Sequence, residues 1–261
     1  MKRRSFFNGF SNLYSCNFDG VNDYVTAGGV SDFKYYHGAT NPSAFAFSIG
    51  VWVKLVSPTA NAAQTIFNTN ANSTANVGII MLYDNRASVP ATRRITLIIS
   101  RGVSGAANTV VTVLANSVYP NTTGWVHVLC TYDQALASNN SNLYINNVLV
   151  NTSSKNGLTP STANASFPMI FGINNNISTL PLNGRLYGMT FINKVLSLAE
   201  RNELYNNPHK NAKGYSFAAN VTNAYRFPQG QSGFPTWLDY AGGVSGTMTN
   251  QLLTDIVLDR P

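Results

Sequence analysis

Carboxylates are scarce in this 261-residue chain: it has ten acidic residues, and the only glutamates are Glu200 and Glu203. Glycoside hydrolysis needs two carboxyl groups at a set separation, one as general acid and one as nucleophile or base. No strand-like run carries alternating acids, and Glu200 and Glu203 lie three positions apart on a segment that reads as a helix surface. The chain is therefore expected to be non-enzymatic. Histidine is equally sparse. His37, His127 and His209 assemble with no Ser/His/Asp or Cys/His spacing, and His127 falls inside a strand-like run as a packed residue. Gly242-Gly243 lacks the following Gly-Lys-Ser/Thr of a phosphate loop. The two cysteines, Cys16 and Cys130, both sit in strand-like runs and read as buried thiols, with pairing left open. No cofactor is implied. Asp19, Asp23 and Asp84 read as turn formers, leaving room for a weak calcium site at most.

Charge is low overall, at 10% of residues against a usual value of roughly 25%. Solubility must come from Asn, Ser and Thr, which suits extracellular or particle-surface settings. A hydrophobic content of 44% is enough for a real core. The net charge of +7 is scattered, and Arg3-Arg4 and Arg93-Arg94 are its close pairs, so no nucleic-acid stripe is present. Lys2, Arg3 and Arg4 with Phe6 and Phe7 make a basic, aromatic arm over residues 1–12. It is read either as a solvated arm or as one that docks on another subunit. No run approaches the roughly 20 apolar residues of a membrane helix. Ser5 to Asn12 is not a continuous apolar h-region, so a soluble chain without a signal peptide is expected.

What the chain has in quantity is short strands. Tyr14–Phe18, Tyr24–Ala27, Phe45–Val53, Gln64–Phe67, Val77–Tyr83, Ile95–Ser100 and Thr109–Leu114 are separated by Gly, Pro, Asn and Ser clusters, the pattern of an all-β sandwich. In Leu143–Val150 the pair Asn146-Asn147 stands where a two-residue type I′ turn falls, and Asn tolerates the positive φ this requires. Ser197-Leu198-Ala199-Glu200 is a capping box that predicts one helix to about Asn206, stopped by Asn207-Pro208.

Several segments together resemble the laminin-G-like branch of the concanavalin A-like lectin/glucanase superfamily. They are Phe18-Asp19-Gly20-Val21-Asn22-Asp23-Tyr24-Val25, the strand Phe47-Ser48-Ile49-Gly50-Val51-Trp52-Val53, Trp125-Val126-His127-Val128, the hairpin Leu143–Val150, and Leu182–Glu200. The resemblance implies a jelly-roll β-sandwich with one short helix over residues 13–208. It implies function only loosely, because the fold hosts lectins, glycosidases and structural modules. Residues 209–261 read as an extended tail that packs on the sandwich or on a partner. Its Asp239, Gly-rich Ala241–Gly246 and final Ile256-Val257-Leu258-Asp259-Arg260-Pro261 resemble phage virion proteins that carry this domain.

Sugar recognition combines an aromatic face with hydroxyl-binding Asn, Asp or Arg. Two loops offer that mixture, Tyr35-Tyr36 and Tyr83-Asp84-Asn85-Arg86, although the same aromatics also suit the closed ends of a sandwich. The expectation is a non-enzymatic virion-surface protein of a phage, whose partners are other virion subunits or copies of itself, with glycans as further ligands. The alternative is a free, extracellular carbohydrate-binding lectin module. A divergent glycosidase is third.

Overall fold

The computed structural model describes residues 12–38, 45–60, 62–70, 75–86, 93–102, 109–115, 119–155, 157, 160–175, 179–227 and 230–261. In chain order the strands are β1 (Ser15–Asp19), β2 (Tyr24–Ala27), β3 (Ala46–Leu55), β4 (Ala63–Asn68), β5 (Val77–Asp84), β6 (Arg94–Arg101), β7 (Thr109–Ala115) and β8 (Val126–Asp133). They continue as β9 (Ser141–Ile145), β10 (Val148–Ser153), β11 (Met169–Phe171), β12 (Asn183–Ile192), β13 (Val221–Arg226), β14 (Thr236–Asp239), β15 (Gly246–Thr249) and β16 (Ile256–Val257). The helix α1 spans Leu198–Asn206.

All pairings are antiparallel. The first sheet runs β10-β9-β8-β3-β12-β13, with β1 beside β12 and β16 beside β1. The second runs β14-β15-β2-β11-β4-β5-β6-β7. Period-two alternation explains the core between them. On β3, Phe47, Ile49, Val51, Val53 and Leu55 are buried inward, and on β8 Val126, Val128, Cys130 and Tyr132 do the same. The second sheet answers with Val25, Ile66, Phe67, Ile79, Met81, Leu97 and Phe171. Phe191 is the hub, its ring in contact with those of Phe33, Tyr36, Phe67, Phe171 and Tyr225 at centroid distances from 5.2 to 6.5 Å. Cys16 and Cys130 are buried and unpaired.

Local chemistry sets the connections. Asn146 and Asn147 take φ of 48° and 66° and turn β9 into β10. Ser197 accepts from the Glu200 N–H while the Glu200 carboxylate accepts from Ser197 N, so both halves of the capping box are made. The helix covers the outer face of the first sheet. Leu204 joins Leu129, Tyr144, Ile192, Leu196, Tyr215 and Phe217 in a second, smaller apolar cluster there. No helix among the described residues is long and apolar enough to cross a membrane.

Residues 209–261 enter both sheets. Strand β13 pairs with β12 (Thr190↔Ala224), β15 pairs with β2 (Met248↔Val25), and β13–β14 joins the sheets along one edge. Two polar residues make this possible. Asp239 accepts five hydrogen bonds, from the N–H groups of Ala224, Ala241, Gly242 and Val244 and from Asn223 Nδ2, which folds the Gly-rich turn around one carboxylate. Arg226 is buried at 1% exposure and donates to the Met189 and Tyr225 carbonyls and to Thr190 Oγ1. The β3–β12 register slips between Tyr187 and Thr190, where Gly188 has φ of 66°. Arg226 therefore satisfies a carbonyl that this bulge frees from the ladder.

Candidate functional site

The two loops singled out in the sequence lie at opposite ends of the sandwich. Tyr35 donates its hydroxyl to the carbonyl of Ala46, at the start of β3, at 2.7 Å and to that of Asn193 at 3.1 Å. Tyr119 donates to the Val53 carbonyl near the other end of β3, and Tyr83 to that of Pro58 beyond it. Seven residue steps along the strand separate Ala46 from Val53, about 23 Å at roughly 3.3 Å per step, so one sugar ring cannot touch both loops.

Tyr36 and Tyr83 do not present the aromatic face expected of them, while Tyr35 is half-buried and edge-on to Tyr36 and Phe45. Tyr36 is 1% exposed, its hydroxyl paired with Thr222 Oγ1 and its ring packed on Phe47 and Phe191. Tyr83 is wholly buried, edge-on to Tyr119. Asp84 is buried and ion-paired to Arg86 at 2.9 Å and Arg94 at 3.3 Å. Burial alone would raise its pKa, but the hydrogen bonds and charges of Arg86 and Arg94 hold the carboxyl below the usual range. Asn85 braces the loop through the Ala60 carbonyl and the Arg93 N–H. Tyr36, Tyr83 and Asp84 are thus structural, because closing the sandwich ends consumes their rings and polar atoms. Lys2, Arg3, Arg4, Phe6 and Phe7 lie outside the described residues. Asp19 caps its own turn, accepting from Val21 N and Asn22 N. Burial, with the charges of Asp19 and Asp255, pushes Asp23 up to about 6 against a hydrogen bond from Asp19 N.

Among the described residues, an opening lies at the Leu55 end of β3, next to the Tyr83–Arg86 loop. A hollow of about 310 Å³ is lined by Lys54, Leu55, Val56, Thr123, Gly184 and Arg185. It continues into one of about 410 Å³ lined by Val56, Ser57, Pro58, Thr59, Asn121, Thr122 and Thr123. Glycine forms the floor. A Cβ on Gly184 would lie 2.3 Å from the Lys54 carbonyl oxygen, so only glycine lets β12 run this close to β3. Lys54 and Arg185 are register partners on the outer face of the first sheet.

Both cations meet Asp259. Lys54 Nζ reaches Asp259 Oδ2 at 2.8 Å, Arg185 Nη1 reaches the same oxygen, and Trp125 Nε1 donates to Oδ1 at 3.1 Å. Burial opposes ionisation of Asp259, but these three donors outweigh it and hold the carboxyl below its usual range. Trp125 is half-buried, its ring edge-on to Tyr187 and 5.9 Å from Lys54 Nζ. The lining therefore offers an exposed Val56, neutral hydroxyls on Thr122 and Thr123, an amide on Asn121 and a net positive charge, with the Trp125 indole behind Lys54. Sequence reading placed Trp125 in a strand motif and Asp259 in a tail pattern without joining them. The usable signal was Lys54 and Arg185, each interrupting an apolar strand.

His127 takes no part in this site. It is 2% exposed, packed on Trp52 and Tyr205 at 5.0 and 5.6 Å, with Nδ1 unpartnered, and burial lowers its pKa to about 3.

A laminin G family model, described as concanavalin A-like lectin/glucanases superfamily, matches residues 19–200. Among solved structures, a Bacteroides ovatus protein provisionally described as a carbohydrate binding protein is similar at 15% identity and a TM-score of 0.56, over 92% of this chain. The match spans 59% of that protein's length. The Ruminococcus gnavus IT-sialidase CBM40 bound to α2,3-sialyllactose is similar at 12% identity and a TM-score of 0.48, over 75% of this chain and 98% of its own. The receptor binding domain of botulinum neurotoxin D is similar at 17% identity and 0.48, over 73% and 45%. No curated protein sequence matches. At these identities the likeness is one of fold.

Proposed function

Because the chain belongs to the concanavalin A-like lectin/glucanase superfamily, we propose that it is a non-catalytic carbohydrate-binding module that holds glycans in the groove at the Leu55 end of β3. The observation that carries this reading is a groove lined by Asn121, Thr122, Thr123, Lys54 and Arg185, with the half-buried indole of Trp125 at its edge behind Lys54. A sugar ring sets its C–H face on an aromatic and its hydroxyls on such polar groups.

The non-catalytic part of the proposal draws on the fate of the acids. Glu200 is tied to Lys194 and Ser197, and Glu203 to Lys210 and Ser216. Asp19, Asp23, Asp32, Asp133 and Asp239 accept backbone N–H groups, Asp84 and Asp259 are ion-paired, and Asp255 accepts from Asn17 and Leu252. This supports the view that no carboxyl pair is held in reserve for acid–base work. The carbohydrate-binding description of the Bacteroides ovatus protein, carried over to this chain, agrees with the reading.

A glycan array with the wild type and Trp125→Ala tests it. We expect binding that the variant weakens roughly tenfold or more, as loss of a stacked ring should. No glycan bound by the folded protein, or binding indifferent to Trp125, would sink it. The finer reading is a structural subunit of a phage virion surface that docks through residues 1–12. It draws on the tail pattern in the sequence, and it calls for a stable oligomer by light scattering where the solitary extracellular module calls for a monomer.

A further inference from the structure

The donors around Asp259 describe a carboxylate-binding site filled by the chain's own side chain. Lys54 and Arg185 share one oxygen, and Trp125 Nε1–H takes the other at 3.1 Å. Charge-assisted donors on one oxygen with a neutral N–H on its neighbour is a strong arrangement for an anionic carboxylate and a wasteful one for a neutral hydroxyl.

Two further features separate this cluster from an ordinary buried ion pair. First, it is open. The side chains of Lys54, Arg185 and Asp259 are 31%, 30% and 20% exposed, and both cations line the 310 Å³ hollow. Second, the donors are held in place without Asp259. Arg185 Nε bonds Asn17 Oδ1 at 3.3 Å, and Lys54 lies over the Trp125 ring. The segment that carries the carboxylate is short and, besides the Asp259 contacts, is tied at its end by a hydrogen bond between Pro261 and His209. It follows β16, a strand of two residues, its Leu258 is 67% exposed, and its backbone bond runs locally from Asp259 N to the Val257 carbonyl.

We propose that Lys54, Arg185 and Trp125 form an acidic-sugar subsite of the groove, selective for a glycan carboxylate, and that Asp259 is a latch which such a glycan displaces. This rests on the reading of the groove as a glycan site and names its ligand class: carboxylated sugars, whether uronic or sialic acids. With the latch closed, the subsite is open in only a fraction of molecules, and apparent affinity falls by that fraction. With the latch removed, both cations stand uncompensated at the groove wall, and Thr123 remains beside them for the hydroxyls of the same residue. A neutral sugar has no group that competes with Asp259 for Lys54 and Arg185, so it should bind beside the latch or not at all.

The experiment is calorimetric titration of the full chain with three probes: oligogalacturonate, a sialylated trisaccharide, and a neutral oligosaccharide of similar length. Wild type is compared with Asp259→Asn, Arg185→Gln and Lys54→Met, each checked for folding by thermal melting. For whichever carboxylated probe fits, we expect Asp259→Asn to bind roughly tenfold tighter and Arg185→Gln and Lys54→Met roughly tenfold weaker than wild type, one charge-assisted contact each. The uronate and sialyl arms tell the two sources apart. Binding of the neutral probe with no advantage for either acid, and no response to Asp259→Asn, would overturn the subsite and leave the carbohydrate-binding reading standing. If no probe binds any of the four proteins, both fall. The cation variants act in the wild-type background, so they decide the matter even if Asp259→Asn loosens the fold.

Discussion

Acid should destabilise the protein through His127 and His37, and the size of the effect follows from their surroundings. Both rings are buried and neutral, with no carboxylate beside them. His127 has Nδ1 unpartnered, and His37 has Nδ1 unpartnered with Nε2 on the Ala163 carbonyl at 3.1 Å. Burial lowers their pKa values from 6.5 to about 3 and about 4. A folded-state pKa below the unfolded value means that the unfolded chain binds the proton first. The stabilisation is complete above pH 6.5 and is lost as pH falls towards the folded pKa. At about 1.4 kcal/mol per unit, each histidine costs about 3 kcal/mol between pH 7 and pH 4. Asp23 acts in the opposite sense. Its folded pKa is raised from 3.8 to about 6, so its contribution grows as pH falls through that window and returns about 2 kcal/mol. The carboxylates held low, Asp84, Glu200, Glu203 and Asp259, begin to lose their contribution only near pH 4.5 to 3.8, at the foot of this window, and His209, whose pKa burial also lowers, adds to the loss. The net loss is therefore on the order of 4 kcal/mol from pH 7 to pH 4. Urea unfolding followed by tryptophan fluorescence at pH 7, 5.5 and 4 measures it. His127→Phe keeps a ring against Trp52 and Tyr205 and should recover about 3 kcal/mol of that loss. In NMR spectra the His127 ring should not titrate above pH 5. A wild-type stability flat between pH 7 and 4, or a His127→Phe variant with the full acid loss, would refute the reasoning.

Phe191→Ala removes the ring on which five others pack and should cost about 3–5 kcal/mol, measured as a shift in urea midpoint at unchanged slope. Asp239→Asn places an NH₂ where Oδ2 now accepts from Asn223 Nδ2 and Val244 N. The expected cost is about 1–3 kcal/mol, with protease cleavage appearing between Asp239 and Gly246. Gly184→Ala drives a methyl into the Lys54 carbonyl and should cost about 1–3 kcal/mol, with weaker glycan binding, because the floor of the groove must move.

Much of the fold was legible because its signals are local. Alternation along β3 and β8, the Asn146-Asn147 turn and the Ser197–Glu200 capping box each depend on neighbours a few residues away. The site was not legible for the converse reason. Tyr36 and Tyr83 have the composition of sugar-binding residues, yet the core takes their rings, and whether a tyrosine closes a sandwich or faces water depends on residues far along the chain. Trp125, Lys54, Arg185 and Asp259 lie far apart in sequence and meet because β16 pairs with β1, β1 with β12, β12 with β3, and β3 with β8.

The sequence by itself determined the all-β class, the capped helix α1, the shortage of catalytic acids and the turn chemistry, because periodicity, capping and composition act at short range. Only the tertiary structure decided that residues 209–261 supply strands to both sheets, that a buried Arg226 and a five-fold acceptor, Asp239, make this possible, and that one carboxylate stands among two cations and an indole at the groove. Those outcomes depend on strand register, which brings together residues that no local pattern connects.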